Sequence, residues 1–333
     1  MRFGLIGTNF VTDFLLDAAR DVPEFELGAI YSRTPERAAA FAEKYRAQYG
    51  QPRLYSSLDD LADDRSIDAV YIASPNALHC EQAIKMLSAK KHVLCEKPMA
   101  SNSRELARML DCARENGRVL LEAMRIQFTP QTAALQALCE RLGPIRRARI
   151  SFCQYSSRYD RFLAGERLNT FDPALSNAAI MDLGVYCLSL MVRLFGEPQS
   201  ITASSLFLEN GFEAAGTVTA RYGQMLCDAV YSKITADSAP CEIQGERANL
   251  LFDRVTMLGS AELIDRATGA REKIELEGPR HDMSCELRAF CAMARGEQSP
   301  QRWQEMTRTV TGLLDAARAQ TGVRFPADRE DAE

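Results

Sequence analysis

The sequence is poor in the features that mark several common functions. It has three well-separated histidines, and its ten cysteines include no C-x-x-C pair, so no local cluster has the spacing of a zinc site. Cysteines scattered in this way predict reduced thiols, mostly buried as small hydrophobes, in a cytoplasmic setting. Positive charge is not in excess: 40 Lys and Arg stand against 45 Asp and Glu, which leaves no electrostatic footprint for nucleic acid. No apolar run is expected to reach membrane-spanning length, so a membrane is not an expected partner either. The first strand pattern begins at residue 2, and no signal peptide is expected before it. Repeats and low-complexity tracts are also missing.

What is present is an ordinary globular composition, 46% hydrophobic and 26% charged, over 333 residues. That length exceeds the size at which single cores stop growing, and it predicts two domains. In the first third, strand patterns at 2–6, 25–31, 68–73, 92–95 and 119–123 alternate with helical patterns at 38–49, 77–89 and 102–116. Such alternation predicts a parallel sheet covered on both faces. After Met124 the pattern changes. A helix near 130–142 precedes period-two strands at 147–155, 217–222, 225–233 and 263–266, with glycine turns between them. This predicts a largely antiparallel open sheet. Helices at 282–295 and 303–321 follow, and the charged tail Asp328–Glu333 reads as disordered. The fold class is therefore α/β, with a doubly wound domain over 1–124 and an α+β domain over 125–333.

The first strand runs into Gly7-Thr8-Asn9-Phe10-Val11-Thr12, a turn that opens a helix with Phe10, Val11, Phe14, Leu15 and Ala18 on one face. This is the place of a G-x-G-x-x-G turn, which presents N–H groups to a pyrophosphate at a helix N-terminus. Only the first glycine is kept. Asn9 tolerates a left-handed backbone, and Thr12 is small enough for moderately close packing. After the second strand, a dinucleotide site for NAD usually has an acidic residue for the ribose hydroxyls. Here Ser32 and Arg33 stand there, with Arg37 one turn into the next helix. A hydroxyl and a guanidinium suit a 2′-phosphate, which favours NADP over NAD. The plainer reading of Arg33 is a solvated loop residue.

The strand His92–Cys95 ends in Glu96-Lys97-Pro98. A strand ending in a charged pair delivers both side chains to the carboxyl edge of the sheet, where α/β folds place ligands. Pro98 restrains Lys97 to an extended backbone, and its peptide bond is a candidate for cis. In the second domain Asp182 and Tyr186 are four apart in a helical pattern opened by Ser176 as an N-cap candidate, which places them one turn apart on one face. Removing hydride from a secondary alcohol requires a base within reach of the hydroxyl. A tyrosine serves only if a nearby cation favours its phenolate. These residues predict Tyr186 as acid/base, Lys97 as electrostatic partner and proton relay, and Asp182 as orienter or substrate-hydroxyl acceptor; the roles of Lys97 and Tyr186 are exchangeable.

The Gly7 turn, Ser74-Pro75-Asn76-Ala77-Leu78-His79, Glu96-Lys97-Pro98, Glu122-Ala123-Met124-Arg125 and Met181-Asp182-Leu183-Gly184-Val185-Tyr186 occur in this order. Together they resemble the Gfo/Idh/MocA oxidoreductases, relatives of glucose–fructose oxidoreductase, inositol dehydrogenase and dimeric dihydrodiol dehydrogenase. The resemblance implies a Rossmann domain, an open-sheet second domain used for homo-oligomers, and hydride exchange between NADP or NAD and a sugar, polyol or dihydrodiol. It maps the family lysine onto Lys97 and its D-x-G-x-[HY] pattern onto Asp182 and Tyr186. Ser74, Pro75, Asn76, His79, Glu96, Lys97 and Arg125 join the Gly7–Val11 turn, Ser32, Arg33 and Arg37 as the expected cofactor contacts. Two departures stand out: Asn9 and Thr12 replace family glycines, and Ser176-Asn177 stands where glycines are common. A redox sensor without catalysis, or a lyase or glycoside hydrolase with transient hydride transfer, are the competing classes.

Overall fold

A computed structural model of the chain describes residues 1–329. They form two compact units: 1–125 with 279–307, and 126–278 with the residues from 308 onward. In the first unit, six strands run β1 (Arg2–Ile6), β2 (Glu26–Tyr31), β3 (Arg53–Tyr55), β4 (Ala69–Ile72), β5 (His92–Glu96) and β6 (Leu120–Ala123). Their spatial order is β3-β2-β1-β4-β5-β6, and every neighbouring pair is parallel. This is the doubly wound order, whose strand sequence reverses between β1 and β4. Strands covered on both faces read as apolar runs, and Val70, Ile72, Val93 and Cys95 are indeed fully buried in one core cluster. The sequence reading missed β3 and the helix Leu58–Asp63, which are too short to show a period.

Two expectations about helices need correction. Helix Phe10–Ala19 buries Thr12, Leu15, Leu16, Ala18 and Ala19, while Phe10 and Phe14 are each 57% exposed and contact one another edge to face. The inward stripe starts from Thr12 and not from the bulkier phenylalanines. Helix Met283–Ala294, predicted in the second domain, belongs to the first unit, where Phe290 packs against Phe3. An amphipathic pattern announces a buried face without naming the core it covers.

The second unit holds β7 (Ile145–Cys153), β8 (Ser200–Phe207), β9 (Glu213–Tyr222), β10 (Met225–Ser232), β11 (Cys241–Gly245), β12 (Ala248–Arg254), β13 (Met257–Asp265) and β14 (Arg271–Glu275). The sheet order is β14-β13-β12-β11-β7-β10-β9-β8, antiparallel except for the parallel β7–β10 pair. One face is fully buried through Ala148, Ile150, Val218, Ala220, Ile243 and Leu250. The other carries half-buried and exposed residues, with Arg147 paired to Asp228 at 2.6 Å.

By length and composition the segment Pro173–Phe195 is apolar enough to cross a membrane, contrary to expectation. Its most apolar window is 72% buried, and the helix Val185–Phe195 at its end is buried through Leu188, Leu190 and Met191. All ten cysteines are free thiols, six of them buried. Of the tail predicted to be disordered, Asp328 is bonded to Arg318 at 2.7 Å and to the Phe325 N–H at 2.8 Å; residues 330–333 lie outside the described residues.

Candidate functional site

The carboxyl edge of the parallel sheet gathers the loops singled out in the first unit. After β1, Gly7 takes φ +108°, and a Cβ there would lie 2.6 Å from the Ala73 carbonyl oxygen. Only glycine fits such a left-handed, crowded position. Asn9 adopts an extended conformation, not the left-handed one its type allows. Its Nδ2 donates to the Ala73 carbonyl at 2.6 Å while its Oδ1 accepts from Val11 N–H at 3.0 Å, capping the helix. The Thr12 hydroxyl donates to the Gly7 carbonyl at 3.1 Å. The two residues that replace glycines therefore stitch the turn from both sides. Thr8 and Phe10 stand at the helix mouth, whose N–H groups and dipole favour a phosphate.

At the end of β2, Ser32 is half-buried and Arg33 and Arg37 are exposed. The Ser32 hydroxyl accepts the Thr34 N–H at 3.2 Å. This edge offers two guanidiniums and no carboxylate before Glu36, a donor set that fits a phosphorylated ribose better than a bare one.

After β4, Ser74, Pro75 and Asn76 are half-buried, and Ser74 Oγ donates to Gln82 Oε1 at 2.7 Å. His79 was expected beside the cofactor, but its ring is buried. Nε2 meets the Ser74 carbonyl at 2.9 Å and Nδ1 the Pro98 carbonyl at 3.0 Å. It ties the β4 loop to the β5 loop. Burial pushes the imidazole below its usual range, against the pull of the two carbonyls.

The Lys97–Pro98 peptide is cis, and Lys97 sits half-buried at the tip of β5. Glu96, also expected at the cofactor, points inward instead: its Oε1 accepts the buried Tyr71 hydroxyl at 2.5 Å. Glu122 accepts Met99 N–H and Thr307 Oγ–H, each at 3.0 Å. Glu286 is fully buried, and its carboxylate oxygens have no hydrogen-bond partner among the described residues. Burial raises all three carboxyls, Glu122 to about 7. Arg125 is ion-paired with Asp282 beside them.

In the second unit the motif segment differs from the expected α-helix. Ile180–Gly184 is a π-turn leading into helix Val185–Phe195, a geometry found often at functional sites. Ser176 is left-handed (φ +57°) and does not cap it. The cap comes from the sheet: Glu213 Oε2 accepts the Ile180 N–H at 2.9 Å, and burial raises this carboxyl to about 7. Asp182 has a 40% exposed side chain and is held by Lys233 Nζ at 2.5 Å. Tyr186 is largely buried, edge-on to Phe152 at 5.7 Å between centroids.

Sequence reasoning missed Lys233 and Glu213. Lys233 had a readable signal, since it follows a strand end as Lys97 does. Glu213 had none, because a helix cap supplied from a distant strand leaves no local pattern.

Comparison with known proteins places these observations in context. Residues 1–124 match the profile described as an oxidoreductase family with NAD-binding Rossmann fold, GFO_IDH_MocA, and residues 133–251 match the GFO/IDH/MocA C-terminal domain. The chain is 41% identical over 331 residues to a protein of Bacillus subtilis (strain 168) named scyllo-inositol 2-dehydrogenase (NADP(+)) IolU, covering 99% of both. It is 38% identical to the uncharacterized oxidoreductase YgjR of Escherichia coli (strain K12), covering 98% of both. Among solved structures it is similar in fold to KijD10, a 3-ketoreductase from Actinomadura kijaniata, with TM-score 0.86, 22% identity and 98% of both chains covered.

Proposed function

The chain belongs to the Gfo/Idh/MocA oxidoreductase family, and from that premise we propose that it exchanges hydride between NADP(H) and a secondary alcohol or carbonyl of a cyclic polyol or sugar. The observation that carries this reading is Lys97, set at the carboxyl end of β5 on the same sheet edge as the Gly7 turn. The relative named for scyllo-inositol supports the substrate class. Ten free thiols support a reducing, cytoplasmic setting.

When bound, the nicotinamide supplies the hydride acceptor or donor. The Gly7–Val11 turn holds the pyrophosphate, and Ser32, Arg33 and Arg37 hold the 2′-phosphate. Ser74, Pro75 and Asn76 line the next loop along the same edge. In the oxidation direction Tyr186 takes the proton leaving the substrate hydroxyl, and in reduction it returns it. The Lys97 ammonium stabilises the alkoxide character of the reacting oxygen. Asp182 accepts a hydrogen bond from a substrate hydroxyl and sets its orientation.

A panel of inositols, other polyols and sugars with NADP and NAD, followed by absorbance of the reduced nicotinamide, tests this. Accumulation of reduced cofactor with scyllo-inositol or a related polyol is expected. Substrate consumption without any net reduction would favour the lyase or hydrolase chemistry instead.

Arg33→Ala should weaken NADP(H) binding by about tenfold or more and leave NAD(H) nearly unchanged, because one charge-assisted phosphate contact is lost. Titration calorimetry checks it, and tighter NAD(H) than NADP(H) binding by the parent protein would overturn the assignment.

Assembly follows from the second sheet. Val218 and Ala220 lie on its covered face, and Tyr222 donates to the Gly196 carbonyl at 3.0 Å. The opposite face instead offers Leu226, Val230, Leu251 and Ile264 among charged residues, and a two-fold contact there between copies makes a homodimer or larger assembly. Light scattering at micromolar concentration should give at least twice the 37.1 kDa chain mass; a monomer mass would refute it.

A further inference from the structure

The second unit contains a buried ammonium that the proposed chemistry does not use. Lys233 follows the end of β10, and its side chain is only 6% exposed. Its Nζ donates to Asp182 Oδ2 at 2.5 Å and to Thr170 Oγ1 at 3.2 Å. It also lies 5.6 Å and 6.0 Å from the ring centroids of Phe171 and Phe212. Those two rings centre a small apolar cluster of their own. A cation with so little access to water is costly unless paired, and Asp182 is the carboxylate that meets it. The relation is asymmetric, because Asp182 itself is 40% exposed.

We propose that Lys233 is a positioning residue that fixes the carboxylate of Asp182 in one orientation, through which a substrate hydroxyl of the polyol is held beside Tyr186. The inference rests on the reading of Asp182 as a substrate-hydroxyl acceptor given above. A side chain that only packed the apolar cluster would need no charge. The hydroxyl and the two aromatic faces aim the ammonium, and the ammonium in turn aims Asp182 (a chain of contacts lying wholly within this unit).

The test is a double-mutant cycle of Lys233→Met and Asp182→Asn, with kcat/KM measured on the polyol of the panel that turns over and NADP. Lys233→Met should lower kcat/KM about tenfold or more with NADP affinity unchanged, and adding it to Asp182→Asn should change kcat/KM by no more than about twofold. Melting temperatures give a readout independent of substrate. Asp182→Asn strands the buried ammonium and should melt lowest, and the double variant should melt higher than it. Should Lys233→Met not fold, Lys233→Gln, which keeps a donor, enters the same cycle. Multiplying activity losses, a near-normal Lys233 variant, or a double variant melting no higher than Asp182→Asn would each overturn the proposal. If Asp182→Asn alone keeps normal kcat/KM while the melting pattern holds, it is the reading of Asp182 that fails, and the positioning role falls with it.

Discussion

Lys97→Met and Tyr186→Phe should each reduce turnover by about 10²–10⁴-fold, the usual contribution of a positioned acid–base or charge-stabilising group. Cofactor affinity should change far less, since the turn at Gly7 and the basic loop after β2 stay intact. The double variant should lose little more than the worse single one, because residues that serve one step are not additive. Asp182→Asn should cost less turnover than either. The measurement is steady-state kinetics on a verified polyol, with thermal melts to confirm folding. Near-normal turnover in either single variant would end the assignment.

Glu122→Gln should make the protein more stable at pH 8 than the parent, relative to the same comparison at pH 5, by about 2.5 kcal/mol. Burial raises this carboxyl from its ordinary 4.5 to about 7 in the folded state. The folded state therefore holds the proton more tightly than the unfolded chain. Its stabilising share is complete below about pH 4.5 and is lost as pH rises through about 7. Glutamine keeps both contacts: its oxygen accepts Met99 N–H, and its amide donates to Thr307 Oγ1. Urea unfolding of both proteins at the two pH values decides the matter, and an unchanged stability difference between pH 5 and pH 8 would rule it out.

The first sheet was legible because its strands are buried on both faces and its helices are long enough to show a period. Phe10 and Phe14 misled because size was taken for burial, whereas the helix turns on its cap at Asn9. The second sheet was only half legible: β8 and β14 carry mostly exposed or half-buried residues, so no strong apolar alternation marks them. Lys97, Asp182 and Tyr186 could be singled out because each stands beside a local punctuation, a strand end or a helical repeat. Tyr71 and Glu213 could not, since their partners Glu96 and Ile180 lie far away in sequence. His79 could be read either way until its two backbone partners were seen.

The inward turn of His79 has a consequence for anyone who probes this enzyme by titration. A kinetic midpoint near neutrality is habitually credited to an imidazole, and loss of activity under a histidine-directed acylating reagent is taken as its proof. Here burial moves both His79 and His92 downward, while Glu122 and Glu213 ionise at about 7. A neutral limb in the rate profile is then not by itself the mark of His79 or His92, because burial brings two carboxyls of the fold into the same range.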